Sequence, residues 1–169
     1  MAISMYQVSV PVFVKGLANL RAILEKGTAH AQARKIDETV LVNARLYPDM
    51  LPLSGQIQIA SDMARGTIAR LTGSEPPAWD DDEKTIADLI ARIDKTIEYL
   101  KSFTSSQIDG TETQEIKRKI RGQERTFSGL NYLLQFAMPN FYFHTATTYA
   151  ILRHNGVEIG KLDYLGNLD

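Results

Sequence analysis

The stretch NFYFHTATTYAILRHNG, residues 140–156, decides the fold that this sequence predicts. Its composition predicts a long helix from Phe141 to His154, ended by an Asn-Gly pair that tolerates the left-handed backbone following a last helical turn. The preceding Pro139 is expected to separate this helix from a shorter one over residues 128–138, because proline lacks the N–H that a continuous helix needs. The stretch therefore predicts the last of several helices, and it contains two of the three histidines of the chain.

Three further long helices are predicted by apolar residues that recur three and four positions apart, a spacing that places them on one helical face. They cover roughly residues 5–33, 53–71 and 83–103, and a short helix capped by Asp37 is expected over residues 37–43. The second long helix illustrates the pattern, with a buried stripe expected at Ile57, Ala60, Ala64, Ile68 and Leu71.

Residues 111–128 have a different pattern. Two segments of mixed polar and apolar residues flank Gly122, which predicts a small β-hairpin that packs on the helices, since an isolated hairpin is only marginally stable. Residues 157–169 alternate enough to predict a short extended segment. The expected fold is therefore all-α, a four-helix bundle with a small β-hairpin insertion before the last helices, in a single domain of residues 1–169.

Composition limits the classes of function. With 169 residues, 44% of them hydrophobic and 23% charged, the chain has the values of an ordinary globular domain. It has no cysteine, which excludes disulfides and thiolate chemistry. The net charge of −1 argues against a nucleic-acid partner, and the apolar segment from Val8 to Val14 is too short to span a membrane. We therefore expect a cytoplasmic protein with neither nucleic acid nor membrane as a partner.

The common catalytic motifs are missing from the sequence, which has no phosphate-binding glycine loop, no His-Glu-x-x-His pair and no serine elbow. The histidines remain as candidates. His30 lies off the apolar stripe of the first helix and is interpreted as a surface residue. His144 and His154 are ten positions apart, so a straight helix separates them by roughly 15 Å along its axis and about 80° around it. These two histidines therefore cannot bind the same metal ion.

His144 shares a helical face with Thr148, beside Tyr149, and a buried histidine there needs a hydrogen-bond partner. On the second long helix, Gln58 and Asp62 form an i,i+4 pair. Two interpretations stay open. Either His144 is a satisfied structural residue and the second helix has a solvated polar face, or all five residues line one pocket in which Asp62 lies opposite His144. In the second interpretation His144 is also the candidate metal ligand.

Five motifs spread along nearly the whole chain resemble those of one family. They are NFYFHT at residues 140–145, YAILRHNGV at 149–157, QIQIASDMA at 56–64, ARLTG at 69–73 and LYPDML at 46–51. The family that they resemble is DUF1993, which looks like a branch of the DinB/YfiT-like helical bundles.

The resemblance implies a divalent metal bound by three histidines, one on the second helix and a His-x-x-x-His pair on the fourth. It also implies thiol-dependent transferase or hydrolase activity for some members. His144 matches the first histidine of the pair, but Thr148 stands at the second position, and the second helix offers only Gln56, Gln58 and Asp62. By this resemblance, two of the three metal ligands have been lost.

Three functions are therefore possible as hypotheses. The leading one is a DinB-like protein that keeps a polar cavity between its helices, has a degenerate metal site without a bound cofactor, and binds a small molecule or catalyses an unknown reaction. The second is a divalent-metal-dependent thiol transferase or hydrolase in which Asp62 or Gln58 replaces a lost ligand, which favours harder ions. The third is a non-enzymatic interaction module that forms a homodimer. The residues leave open whether the protein is an enzyme, and what its substrate or ligand is.

Overall fold

The long helices predicted from apolar spacing are present, with ends that differ by a few residues. The structure is a computed structural model that describes residues 3–167. It is mostly helical, with one small two-stranded antiparallel sheet. The elements in chain order are α1 (Val10–Arg34), α2 (Glu38–Val42), α3 (Leu53–Leu71), α4 (Ile86–Lys101), α5 (Ser105–Ile108), β1 (Glu115–Ile120), β2 (Gln123–Ser128), α6 (Gly129–Asn131), a π-helical segment (Tyr132–Ala137), α7 (Met138–His154) and α8 (Lys161–Leu165).

The hydrophobic core lies between the four long helices. Helix α1 packs against α4 and α7, and α3 packs against the same two helices. The rings of Phe13 and Phe141 meet edge to face with their centroids 5.0 Å apart, which joins the start of α1 to α7. Within residues 3–167 no helix combines the length and the apolar composition that crossing a membrane requires. The stripe predicted for α3 is confirmed as buried core: Ile57, Ala60, Ala64, Ile68 and Leu71.

Helices α1 and α4 both begin later than apolar spacing predicts. Pro11 stands in the first turn of α1, where its missing N–H costs no helical hydrogen bond. Helix α4 begins at Ile86 because Thr85 caps it: the Thr85 hydroxyl accepts from the Asp88 N–H at 3.1 Å, and the Asp88 carboxylate accepts from the Thr85 N–H at 2.9 Å. The acidic residues before Thr85 therefore remain in a loop.

The short helix and the hairpin confirm two local predictions. Asp37 caps α2, since its carboxylate accepts from the Thr39 N–H at 2.9 Å. Strands β1 and β2 pair antiparallel, and the turn between them consists of Arg121 and Gly122. Their φ values of 49° and 81° lie in the left-handed region that a two-residue hairpin turn requires, which glycine adopts without strain.

The prediction that Pro139 separates two helices is wrong. Helix α7 begins at Met138 and continues through Pro139, directly after the π-helical segment. Proline fits the first turn of a helix because no hydrogen bond is needed from its nitrogen there. The preceding π-helical segment changes the hydrogen-bond register, and the Asn140 side chain donates to the carbonyl of Phe136 at 2.6 Å across this transition.

The prediction of a short extended segment over residues 157–169 is wrong for residues 161–165, and residues 168 and 169 lie outside the part of the chain that the structure describes. Residues 161–165 form α8 instead. The Gly160 N–H donates to the Asp163 carboxylate at 2.7 Å, which starts the helix. The Asn19 side chain of α1 then donates to the carbonyl of Tyr164 at 3.1 Å. The sequence pattern of residues 161–165 does not by itself distinguish a helix from a strand, and a contact with α1, which is distant in sequence, holds them in place.

Candidate functional site

His144 lies on α7 and faces α3. Its side chain is largely buried, with 8% of its surface exposed, and its Nδ1 atom lies 2.7 Å from Oε1 of Gln56. Gln56 is itself buried in the first turn of α3, and its Nε2 atom donates to the carbonyl oxygen of Leu51 at 3.1 Å. The Gln56 amide is therefore held at both ends, and it supplies the polar partner that a buried histidine needs.

The contacts of Gln56 determine which nitrogen of His144 carries the proton. Because the amide nitrogen donates to the Leu51 carbonyl, the amide oxygen faces His144, so Nδ1 must carry the N–H. Burial lowers the pKa of His144 and so keeps the ring neutral near physiological pH. Nε2 then holds a lone pair. It has no hydrogen-bond partner in the described part of the chain, and yet it is not sealed from solvent.

Two exposed apolar residues belong to the surroundings of His144 and Gln56. Leu51, whose carbonyl accepts from Gln56, is 43% exposed. Phe143 is 56% exposed, and its ring meets the ring of His144 edge to face at a centroid distance of 5.2 Å. We call Leu51, Gln56, Phe143 and His144 the His144 site. It combines one free nitrogen lone pair with two exposed apolar side chains.

The residues around His144 do not fit a three-histidine metal centre. Thr148, one turn further along α7, is fully buried, and its hydroxyl donates to the carbonyl of His144 at 2.9 Å. The atoms near His144 that could bind a metal are thus its own Nε2, the Gln56 oxygen that already accepts from Nδ1, and the Thr148 hydroxyl that already donates to a carbonyl. Divalent metals of the zinc type require several imidazole, thiolate or carboxylate ligands. From residue 3 to residue 167, no group of three or more His, Cys, Asp or Glu side chains could hold a metal ion.

A second polar cluster lies between α3, α4 and the loop that precedes α4. At its centre, Arg92 is almost fully buried, with Nη2 2.9 Å from the Asp62 carboxylate and Nη1 2.7 Å from the Glu83 carboxylate. The Arg65 guanidinium lies 2.7 Å from the same oxygen of Asp62. Gln58 donates to the other oxygen of Glu83 at 2.8 Å. We call Asp62, Arg65, Glu83 and Arg92 the arginine cluster.

The charges of the arginine cluster compensate one another. Burial alone raises the pKa of Glu83, but the hydrogen bonds that its carboxylate accepts outweigh burial, and the pKa is lowered. Burial likewise opposes the charge of Arg92, yet the hydrogen bond to Glu83 and the charge of Asp62 raise its pKa. Arg65 also stacks on Trp79, with Cζ 4.1 Å from the ring centroid. The cluster is an ion network that attaches the acidic loop to the helices.

The five residues predicted to line one pocket have three different surroundings. Between residues 3 and 167, no hydrogen bond or ion pair joins Asp62 to His144. His144 belongs to the His144 site, and the Thr148 hydroxyl donates to its carbonyl. Asp62 belongs to the arginine cluster, and Gln58 donates to Glu83 of that cluster. Tyr149 instead meets the ring of Tyr164 of α8 edge to face, at a centroid distance of 6.0 Å.

Sequence reasoning missed Gln56 as the partner of His144, although helical spacing contained the signal. On a helix of 3.6 residues per turn, Gln56 lies about 40° from Ala60, the centre of the buried stripe of α3. Gln58 and Asp62 lie about 160° from Ala60, on the opposite face. Among the three polar candidates on α3, only Gln56 is therefore turned toward α7.

Comparison with known proteins assigns the class of this helical fold. A crystal structure of a DinB family member protein from Shewanella denitrificans has the same fold, with a TM-score of 0.91 and 43% sequence identity. The match covers 96% of this chain and 92% of that chain. A search of curated proteins gives no significant match.

The fold and this likeness define a DinB-type helical protein. A family model described as "Domain of unknown function (DUF1993)" matches residues 5–165. The chain therefore belongs to the DUF1993 family, which confirms the resemblance of its motifs.

Proposed function

We propose that this DUF1993 protein binds a small organic molecule at the His144 site, with Nε2 of His144 accepting a hydrogen bond from the ligand. The observation that carries the proposal is the contact of His144 Nδ1 with Gln56 Oε1 at 2.7 Å. This contact uses the single N–H of the neutral ring, so the other nitrogen keeps a basic lone pair. A hydroxyl, an amide N–H or a thiol is the group that such a lone pair recognises.

The surroundings of His144 support a ligand that also has an apolar part. Phe143 is exposed and its ring contacts the ring of His144, and Leu51, whose carbonyl accepts from Gln56, is exposed as well. An apolar group of the ligand would cover these side chains while its donor reaches Nε2, the combination of apolar contact and one directional polar group that is usual in small-molecule sites.

The helix arrangement supports a site between facing helices. Helices α1 and α3 each pack against both α4 and α7. His144 and Gln56 come from α7 and α3, and in such folds ligand sites are built from side chains on facing helices. Metal chemistry is not part of the proposal, because the donors around His144 do not fit a metal of the three-histidine type. If the protein is an enzyme, the role open to the neutral ring is to accept a proton from a bound acidic group.

The first test needs no ligand. Long-range proton–nitrogen correlation NMR of the imidazole rings reports which nitrogen of His144 is protonated. We expect a neutral ring with the proton on Nδ1 at neutral pH. A proton on Nε2, or a charged ring, would contradict the proposal.

The second test screens fragments by ligand-observed NMR in matched pairs, each with a hydroxyl or amide donor and with that donor methylated. We expect binding of the donor fragments to the wild type, a shift of the Nε2 resonance, and loss of this binding in His144→Gln. His154→Gln is the matched control on the same helix and should bind as the wild type does.

Other outcomes would favour the remaining hypotheses. Stoichiometric metal in protein purified without a histidine tag, absent from His144→Gln, would support the metal-dependent hypothesis and overturn this one. A homodimer that buries Leu51 and Phe143, seen by sedimentation and lost on Phe143→Ser, would favour the interaction module.

A further inference from the structure

A groove with a volume of about 370 Å³ lies between α1, α7 and α8. Its lining includes Leu20 and Phe141, both fully buried in the core. Along α7 the groove is lined by Phe141, Tyr142 and Thr145, and Thr145 is turned about 100° around the helix from His144. Among the described residues, none of the four that form the His144 site lines the groove. The groove is therefore separate from that site, and a ligand of the groove is independent of the function proposed for it.

The groove is a built feature of the fold. A Cβ atom at Gly16 would come within 2.7 Å of Phe141, so glycine at this position lets the ring lie directly against α1. Helix α8 forms the opposite wall and is attached to α1 by the bond from Asn19 to the Tyr164 carbonyl and by an ion pair between Lys26 and Asp163.

Polar side chains also line this groove. The hydroxyls of Thr145 and Tyr164 lie 3.1 Å apart. Burial, with a smaller contribution from Tyr164, raises the pKa of Tyr142, so its hydroxyl remains a protonated donor. Among the described residues that line the groove, Lys15 alone carries a charge, and its ammonium group has no ion pair within residues 3–167.

We propose that this groove binds an amphipathic monocarboxylate, with its apolar body on the half-buried Val12 and Leu165 and its carboxylate at Lys15. The sign of the charge follows from Lys15, which has no carboxylate among its described neighbours in the groove. The single charge and the apolar interior select a molecule with one anionic end. A dianion or an uncharged sugar would place unpaired polar groups against the apolar side chains of Val12 and Leu165 at a cost.

The test measures binding of octanoate and phenylbutyrate to the full chain by calorimetry, with octanol and phenylbutanol as uncharged analogues of the same shape. We expect saturable binding of one acid per chain and about three- to fivefold weaker binding of each alcohol. Lys15→Gln should weaken the acids by the same factor without affecting the alcohols. Lys101→Gln, an exposed lysine on α4 outside the groove, is the matched control and should leave all four affinities unchanged.

A second variant tests whether the acids and alcohols bind in the groove at all. Val12→Trp places a large side chain on the groove wall, and it should abolish binding of acids and alcohols while circular dichroism shows a folded protein. Amide shifts in the wild type should map to the first turns of α1 and to α8.

Three results would overturn the proposal: no saturable binding of either acid, equal affinity for acid and alcohol, or amide shifts confined to the region of Gln56 and His144. Self-association through this face, removed by Val12→Trp, would also overturn it, because a second copy of the chain would then be the occupant. Failure of the His144 experiments leaves these results unaffected, since the two sets of variants do not overlap.

Discussion

Helix α3 contributes to two polar clusters that differ in charge. On one face, Asp62 joins Arg65 and Arg92 in the arginine cluster, where charge meets charge. On the other face, Gln56 meets His144 in a pair without net charge, and one nitrogen of the ring is left without a partner in the described part of the chain. The arginine cluster holds the loop before α4 through its ion pairs, although Nε and Nη1 of Arg65 and Nε of Arg92 have no hydrogen-bond partner among the described residues. The His144 site keeps a free lone pair on Nε2 of His144.

The difference explains why the more charged cluster is the weaker candidate for function. In the arginine cluster, the carboxylates of Asp62 and Glu83 already accept from guanidinium groups, and removing Arg92 would leave buried charge uncompensated. The His144 site has the lower electrostatic cost because its groups are neutral. A ligand can therefore bind to Nε2 without breaking an existing contact.

The largest expected effect is that of Arg92→Met. The substitution keeps much of the side-chain volume but removes the cation that faces Asp62 and Glu83, and we expect a loss of about 3–5 kcal/mol in the free energy of unfolding. Urea denaturation measures it. Arg21→Met is the control, since Arg21 makes two ion pairs at the surface, and it should cost less than about 1 kcal/mol. Equal losses would mean that the arginine cluster is no more than a surface network.

Gln56→Leu tests the other side of the comparison. It leaves the Nδ1–H of His144 and the carbonyl of Leu51 without their partner, so we expect a loss of about 1–3 kcal/mol in urea denaturation. Imidazole NMR should show at the same time that the proton is no longer held on Nδ1. Gln58→Leu is the comparison on the opposite face of α3 and should leave the His144 resonances unchanged. Unchanged His144 resonances in Gln56→Leu would contradict the assignment of the pair.

Asp62→Asn sharpens the account of the charged cluster. The carboxylate is 42% exposed, and Arg92 keeps its contact with Glu83, so the expected loss in unfolding free energy is about 1–2 kcal/mol. Asp94→Asn, at an exposed ion pair with Arg21, should change it by less than about 0.5 kcal/mol. A larger loss in unfolding free energy for Asp94→Asn than for Asp62→Asn would contradict the contribution of Asp62 to the arginine cluster.

The smallest expected effect is a dependence of stability on pH through His144. Burial lowers the pKa of the folded state below the ordinary value of 6.5, so the unfolded chain takes up the proton first. The contribution of the neutral ring to stability is full above 6.5 and is lost as pH falls from there through the folded pKa. Urea midpoints at about pH 7.5 and about pH 5.5 should differ less in His144→Gln than in the wild type. His154→Gln is the control and should keep the wild-type difference.

Much of the fold was predictable because each helix has a strong local pattern. The stripe of α3, the cap at Asp37 and the hairpin turn at Gly122 depend on side chains within a few positions of one another. Of the two errors, the first has a local cause and the second a tertiary one. Pro139 became the first turn of α7 after a π-helical change of register, and α8 formed where Asn19 of the distant α1 contacts Tyr164.

The candidate site was only partly predictable. His144 was found because histidine on a mainly apolar helix demands a partner. Its partner was sought among Asp62 and Gln58, the residues with the more obvious chemistry, whereas Gln56 on the buried face of α3 meets it. The angle around α3 contained this information, but the angle has meaning only once it is known which helix lies opposite.

The sequence by itself determined the family, the four long helices, the hairpin and the importance of His144, because periodicity, capping residues and motifs are local properties. Only the tertiary structure decided that Gln56 orients His144, that Arg92 ties Asp62 to Glu83, and that α8 closes a groove on α1. These results depend on which helix faces extend toward one another, and that is determined by packing the whole core at once.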